Sequence, residues 1–136
     1  MQDMKVLVGF ITTPEGEAAL EAAIAEAKLR DARLVVVHSL VGGGRDEDQL
    51  PEYKKALDAV AARLEADGVD HEIRELVRGN APGNDLLEFS RDEAVDLIVI
   101  GVRRRSPVGK LVLGSNAQDI LLGADCPVLA VKPAKS

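Results

Sequence analysis

The chain has 136 residues, of which 46% are hydrophobic and 29% charged, so it has the length and composition of one globular domain. Its formal charge of −6 and its aromatic content of 2% argue against a general nucleic-acid binder, which needs a basic surface or exposed rings. The single cysteine, Cys126, excludes an internal disulfide and a zinc site built on cysteines. No apolar run reaches the roughly 18 residues of a membrane span, and the start has no signal-peptide layout, so we expect one soluble, cytoplasmic domain over residues 1–136.

The first predicted unit is a buried strand followed by a helix. Met4–Phe10 is a short, Val-rich apolar run, typical of a strand that is buried on both faces of a parallel sheet. The hydroxyl residues Thr12 and Thr13, followed by Pro14, predict the start of a helix. Apolar residues then recur at three- and four-residue steps as far as Arg30, which indicates one buried stripe along that helix.

The same patterns predict the other elements. Further strands are predicted over Arg33–His38, Val69–Val77, Val95–Ile100 and Pro127–Val131, and the second of these is polar enough to lie at an edge. A flexible, glycine-rich loop over 41–46 precedes a helix over Pro51–Ala66, a third helix follows the turn marked by Gly79, Pro82 and Gly83, and the last runs from Ser115 to about Leu122.

Strands and helices thus alternate from end to end, which predicts an α/β fold. We expect a three-layer, doubly wound, Rossmann-like arrangement in which helices cover both faces of a five-stranded, mostly parallel sheet. With the strands numbered along the chain, the expected order is 3-2-1-4-5. Such folds bind ligands beyond the carboxyl ends of the strands, where the strand order reverses.

A basic segment follows the fourth predicted strand. Residues 101–115 contain four cations and no acid, so the rest of the chain has a formal charge of −10. Gly114 and Ser115 at a helix start offer backbone N–H groups and a hydroxyl, which suit a phosphate. The alternative is a solvated loop that pairs with acidic residues of its own chain or of a neighbour. A P-loop is excluded, because Arg104 and Leu111 stand where that motif needs a glycine and a hydroxyl residue.

No catalytic or metal site is expected elsewhere. His38 and His71 have neither a third ligand nor a nucleophile at useful spacing, so structural roles are favoured for both. Cys126 is expected to be a small buried residue. The acids Glu15 and Glu17 are interpreted as capping and solvated residues at a helix start, and no general acid–base pair is visible.

The whole layout resembles the universal stress protein family, whose fold is of the adenine nucleotide alpha hydrolase-like type. Besides the first strand and its turn, the resemblance rests on residues 77–82, Ala94–Gly101 and Asp125–Val131. Its ATP-binding branch has Gly, two residues, Gly, nine residues, then Gly and Ser or Thr, which Gly101, Gly114 and Ser115 match. Two positions depart from the family pattern: Arg104 replaces the second glycine, and Ile11 replaces an aspartate near the ribose.

The resemblance implies a homodimeric stress-response module that is not an enzyme and that binds an adenine nucleotide, ATP (with Mg) or AMP. Adenine would lie at the backbone of Ser39, and phosphates over Gly101, Gly114, Ser115 and Asn116, with Thr12 in the same site. Arg103, Arg104 and Lys110 are candidates for assisting cations by position. The alternative is an interaction and dimerisation module of the same family that binds no nucleotide, which the departures at Arg104 and Ile11 favour.

The last predicted strand carries a separate expectation about partners. Val128, Leu129, Ala130 and Val131 form a short apolar edge, and an edge this hydrophobic needs a partner. In the family that the chain resembles, the corresponding strand pairs with its two-fold mate, so we expect a homodimer here. The alternative is an edge that the C-terminal tail covers.

Overall fold

The computed structural model describes residues 4–40, 44–77, 82–103 and 115–133. Strands and helices alternate over these residues. The strands are β1 (Lys5–Gly9), β2 (Arg33–Leu40), β3 (His71–Val77), β4 (Leu97–Gly101) and β5 (Val128–Val131), and the helices are α1 (Pro14–Arg30), α2 (Gly44–Ala66), α3 (Pro82–Asp92) and α4 (Ser115–Gly123).

The five strands form one parallel sheet in the order β3-β2-β1-β4-β5, which confirms the predicted fold class and strand order. Leu7 at the centre of β1 is in register with Val35 of β2 and Ile98 of β4. Since neighbouring parallel strands need crossover connections, the alternation of strands and helices along the chain favours a parallel sheet.

Two aliphatic cores lie on the two faces of the sheet. Val6 and Val8 of β1 pack with Ala23 of α1 and Leu64 of α2, whereas Leu7 packs on the other face with residues of α3 and α4. Small alanines at the α1 interface allow close approach to the sheet. From β1 the chain adds β2 and β3 toward one edge of the sheet, and it then adds β4 and β5 toward the other edge. The strand order therefore reverses between β1 and β4, and α1 and α4 lie on opposite faces of the sheet.

The boundaries differ from the sequence prediction in two places. Helix α2 begins at Gly44, so the loop predicted over 41–46 is wrong from Gly44 onward, while residues 41–43 lie outside the described part of the chain. Glycines favoured a loop, but the acids at positions 46–48 fall in the first turns, where they suit a helix N-terminus. Strand β3 begins at His71, after the predicted start at Val69, which is itself buried in the core.

Candidate functional site

The carboxyl edge of the sheet between β1 and β4 gathers the described residues that the sequence singles out. Ile11 and Thr12 follow β1, and both are exposed. Gly101 ends β4 and is followed by buried Val102 and exposed Arg103. Ser39 lies one residue before the end of β2, in register with Leu76 of β3. The switch point of this doubly wound sheet is therefore bordered by the residues expected to form a site.

Gly101 allows β4 to approach the first turn of α1. A Cβ atom at Gly101 would overlap the carbonyl oxygen of Glu15 and would lie 3.1 Å from the Glu15 Cβ. Any side chain at this position would therefore displace one of the two elements. Gly101 has a packing reason to be glycine, independent of any ligand.

Glu15 is not the solvated acid that the sequence indicates. It is only 6% exposed, and its Oε2 lies 3.0 Å from Nε of Arg103, whose side chain is 55% exposed. A carboxylate with so little access to water needs an ionic or hydrogen-bonding partner, and Arg103 supplies one. The pair joins α1 to the residue at which the basic segment leaves the sheet. The sequence singles out Arg103 as a candidate cation but does not reveal the pair, because its two residues are 88 positions apart.

The turn between β1 and α1 is held by Thr13. Its Oγ1 accepts a hydrogen bond of 3.1 Å from the backbone N–H of Gly16, so Thr13 is the N-cap of α1, as the hydroxyl pair predicted. Thr12 remains exposed beside it. The backbone of Gly16 packs directly against that of Ile11, so that a Cβ atom at Gly16 would overlap the Ile11 carbonyl oxygen.

Asn116 joins the starts of two helices on the other face. Its Oδ1 accepts a hydrogen bond of 3.1 Å from the backbone N–H of Gly83 in the first turn of α3. A Cβ at Gly83 would lie 3.0 Å from the Asn116 carbonyl oxygen, so α3 and α4 are in close contact here. Ser115 is the first residue of α4. Arg104, Lys110 and Gly114 lie outside the described residues.

His38 lies at the carboxyl end of β2 and is 5% exposed. Its Nδ1 is 3.2 Å from the carbonyl oxygen of Phe10, which can only accept, so Nδ1 carries the proton. The ring stacks on Tyr53 of α2 with 4.0 Å between centroids. His71 also binds a backbone carbonyl, with Nδ1 2.8 Å from the oxygen of Val69. Both histidines thus have the structural contacts that the sequence reading favoured.

Cys126 is partly exposed, in contrast to the buried residue expected. Burial raises the pKa of its thiol, and the carboxylates of Asp96 and Asp125 raise it further.

Within the described ranges, no group of three His, Cys, Asp or Glu side chains is arranged to hold a metal ion. No helix in this part of the chain combines the length and the apolar character needed to cross a membrane.

The parallel sheet and the reversal of its strand order between β1 and β4 define a doubly wound, Rossmann-like α/β domain. Residues 4–132 match the family model of the universal stress protein family, so the chain belongs to that family.

Individual relatives are similar along nearly the whole chain. A universal stress protein of Mycolicibacterium smegmatis is 42% identical over 128 residues, which are 94% of this chain and 97% of that protein. A solved universal stress protein from Archaeoglobus fulgidus superimposes with a TM-score of 0.82 at 38% identity, covering 95% of this chain and 98% of the other. The structure of the universal stress protein from Archaeoglobus fulgidus in complex with dAMP has a TM-score of 0.77 at 33% identity, covering 97% and 100%.

Proposed function

We propose that this universal stress protein is a cytoplasmic stress-response module that binds an adenine nucleotide, AMP or ATP with Mg, at the carboxyl edge between β1 and β4. The observation that carries the proposal is the similar structure solved with dAMP, which is 33% identical and covers 97% of this chain. The family membership supports assignment to the cytoplasm. We propose binding without turnover, because the sequence offers no general acid–base pair beside the basic segment.

The described residues support a phosphate position at this edge. Arg103 brings an exposed guanidinium whose planar fork suits phosphate oxygens. The start of α4 at Ser115 offers backbone N–H groups at the positive end of a helix dipole. Exposed Thr12 and Asn116 can add side-chain hydrogen bonds. Adenine is proposed at the backbone of Ser39, and phosphates along Gly101, Gly114 and Ser115, with Arg104 and Lys110 as further cations.

Ile11 favours the competing function, an interaction module without a nucleotide. Ile11 is 42% exposed in the turn between β1 and α1, and its side chain cannot accept a hydrogen bond from a ribose hydroxyl. Arg104, in place of a glycine, lacks the backbone freedom that a tight phosphate loop uses. The two functions make opposite predictions for Arg104→Gly. This substitution creates ATP binding if Arg104 blocks the loop, and weakens it if the guanidinium contacts phosphate.

Calorimetric titration of the purified chain with AMP, ATP with Mg, and cyclic AMP tests the proposal. We expect saturable heat with at least one of the three, and we expect mass spectrometry of the natively purified protein to detect the same class of ligand. Ser115→Ala should weaken binding by about threefold to tenfold, since it removes one hydroxyl contact to phosphate. The absence of heat at millimolar concentrations of all three, together with gain of ATP binding by Arg104→Gly, would establish the interaction module instead.

The proposed assembly is a homodimer through β5. This strand pairs with β4 on one side, and among the described residues no strand pairs with its other side. Leu129 is 37% exposed, and nearby α4 exposes Leu121 and Leu122. An apolar edge strand of this kind is suited to pairing with Val128–Val131 of a second copy.

A further inference from the structure

We infer that Glu15 is a positioning residue that orients the guanidinium of Arg103 toward the phosphate of the bound ligand. The inference rests on the proposed nucleotide function and identifies a second residue behind that phosphate contact. Its basis is the ion pair between buried Glu15 in the first turn of α1 and exposed Arg103 two residues after β4, in which Oε2 of Glu15 lies 3.0 Å from Nε of Arg103.

The geometry of the pair leaves part of the guanidinium available. Glu15 contacts Arg103 at Nε, while Nη1 and Nη2 make no ion pair within the described residues. The Arg103 side chain is 55% exposed, whereas the Glu15 side chain is 8% exposed. An incoming anion therefore has access to the guanidinium of Arg103, whereas the carboxylate of Glu15 has little contact with solvent. Because an arginine can bind one anion at Nε and another at its terminal nitrogens, both contacts can form together.

The backbone around the pair fixes the position of Glu15. Gly101 packs directly against the Glu15 backbone, so closely that a Cβ at Gly101 would overlap the Glu15 carbonyl oxygen. The N–H of Val102 donates to the carbonyl oxygen of Val131 at 2.8 Å, which extends the pairing of β4 and β5 to the residue before Arg103. Arg103 and Glu15 thus form their ion pair from two backbone segments that are held in place by packing and hydrogen bonding. Such preorganisation lowers the entropy lost when the guanidinium binds a ligand.

This arrangement assigns Glu15 a positioning role and not that of a competitor for Arg103. A competing carboxylate would occupy the face that the ligand uses and would be released into water when phosphate binds. Glu15 is instead only 6% exposed, and its backbone packs against Gly101, so its carboxylate is not placed in solvent where an incoming anion would displace it.

The test compares Glu15→Gln with Glu17→Gln, which removes the same charge from the same turn at an exposed position. Adenosine, AMP and ATP are titrated into each variant. We expect Glu15→Gln to weaken AMP and ATP about threefold to tenfold, because it loosens one charge-assisted contact, and to change adenosine binding less than about twofold. Glu17→Gln should leave all three affinities near wild type. In an Arg103→Ala background, Glu15→Gln should have no further effect on AMP.

Several outcomes overturn the inference. Tighter AMP binding by Glu15→Gln would make Glu15 a competitor, and equal losses for adenosine and AMP would make its role purely structural. An undiminished effect of Glu15→Gln in the Arg103→Ala background would show that it does not act through Arg103.

A second measurement separates this inference from failure of the nucleotide proposal. If wild type binds none of the nucleotides, inorganic phosphate is titrated while the Arg103 side-chain ¹⁵N resonances are followed by NMR. A saturable shift in wild type and Glu17→Gln that weakens in Glu15→Gln supports the positioning role. No shift at Arg103 in wild type overturns it.

Discussion

Gly101 shows how one residue can have a structural reason and a proposed functional reason at once. The sequence draws attention to it as the first glycine of a phosphate-binding pattern. In the fold it is the point where β4 meets α1, with no room for a side chain against the carbonyl oxygen of Glu15. The packing role can be measured without any ligand.

We predict that Gly101→Ala lowers the free energy of unfolding by about 1–3 kcal/mol, the usual cost of an added methyl group in a tightly packed site. Gly9→Ala is the matched control, because Gly9 ends the neighbouring strand β1 and a Cβ there would meet only Leu86 side-chain atoms, at 3.7 Å. The control should stay within about 1 kcal/mol of wild type, since alanine also restricts the unfolded chain. Urea denaturation of both variants measures the difference, and equal stabilities would show that β4 and α1 can separate at no cost.

At the scale of elements, helices α1 and α2 are joined by the ion pair of Glu21 and Arg63. Nη2 of Arg63 donates to Oε1 of Glu21 at 2.8 Å, and Nη1 binds the other carboxylate oxygen. This hydrogen bonding lowers the pKa of Glu21, with the positive charge of Arg63 acting in the same direction. The lowered pKa means that the pair stabilises the fold fully above the ordinary glutamate pKa and is lost as the pH falls through the lowered value.

We predict that Glu21→Gln costs about 0.5 kcal/mol at pH 7, a small amount because both side chains are largely exposed to solvent. The cost should shrink as the pH falls from the ordinary glutamate pKa through the lowered value, because wild-type Glu21 becomes neutral over this range as well. Chemical denaturation of wild type and variant at pH 7 and pH 3 gives the comparison. In an Arg63→Gln background, Glu21→Gln should cause no further loss of stability. A cost that is the same at both pH values would assign it to packing and not to charge.

Local patterns predicted the elements well, and contacts between distant elements could not be predicted. Apolar runs such as Val95–Ile100 predicted buried strands, and the hydroxyl residues followed by Pro14 predicted the start of a helix, which the structure places at Pro14. The Glu15–Arg103 pair depends on how β4 approaches α1, which one sequence does not encode in any short window. The start of α2 was misjudged because three glycines outweighed the acids that follow them. Thus the fold was accessible from periodicity, while the electrostatics of the candidate site required the packed structure.

At the scale of the whole molecule, the hydrogen bonds between β5 and β4 determine which backbone N–H and carbonyl groups of β5 remain at its open edge. The carbonyl oxygens of Pro127 and Val131 accept hydrogen bonds from the N–H groups of Ile98 in β4 and of Val102 just after it. Because successive residues of a strand direct their backbone groups to opposite sides, the N–H and carbonyl groups of Val128 and Ala130 are directed toward the open edge. A second copy would pair with these groups.

We predict that the wild-type chain is a dimer in sedimentation equilibrium and that Ala130→Pro is a monomer. Proline removes the N–H that faces the open edge but none of the N–H groups that bind β4, so the monomer should stay folded, as circular dichroism can check. Ala130→Val keeps the donor and adds β-branched surface, and it should remain dimeric. A monomeric wild type, or a dimer that survives Ala130→Pro unchanged, would mean that the exposed edge of β5 does not form the interface. In that case the exposed Leu121 and Leu122 of α4 would become the next surface to vary.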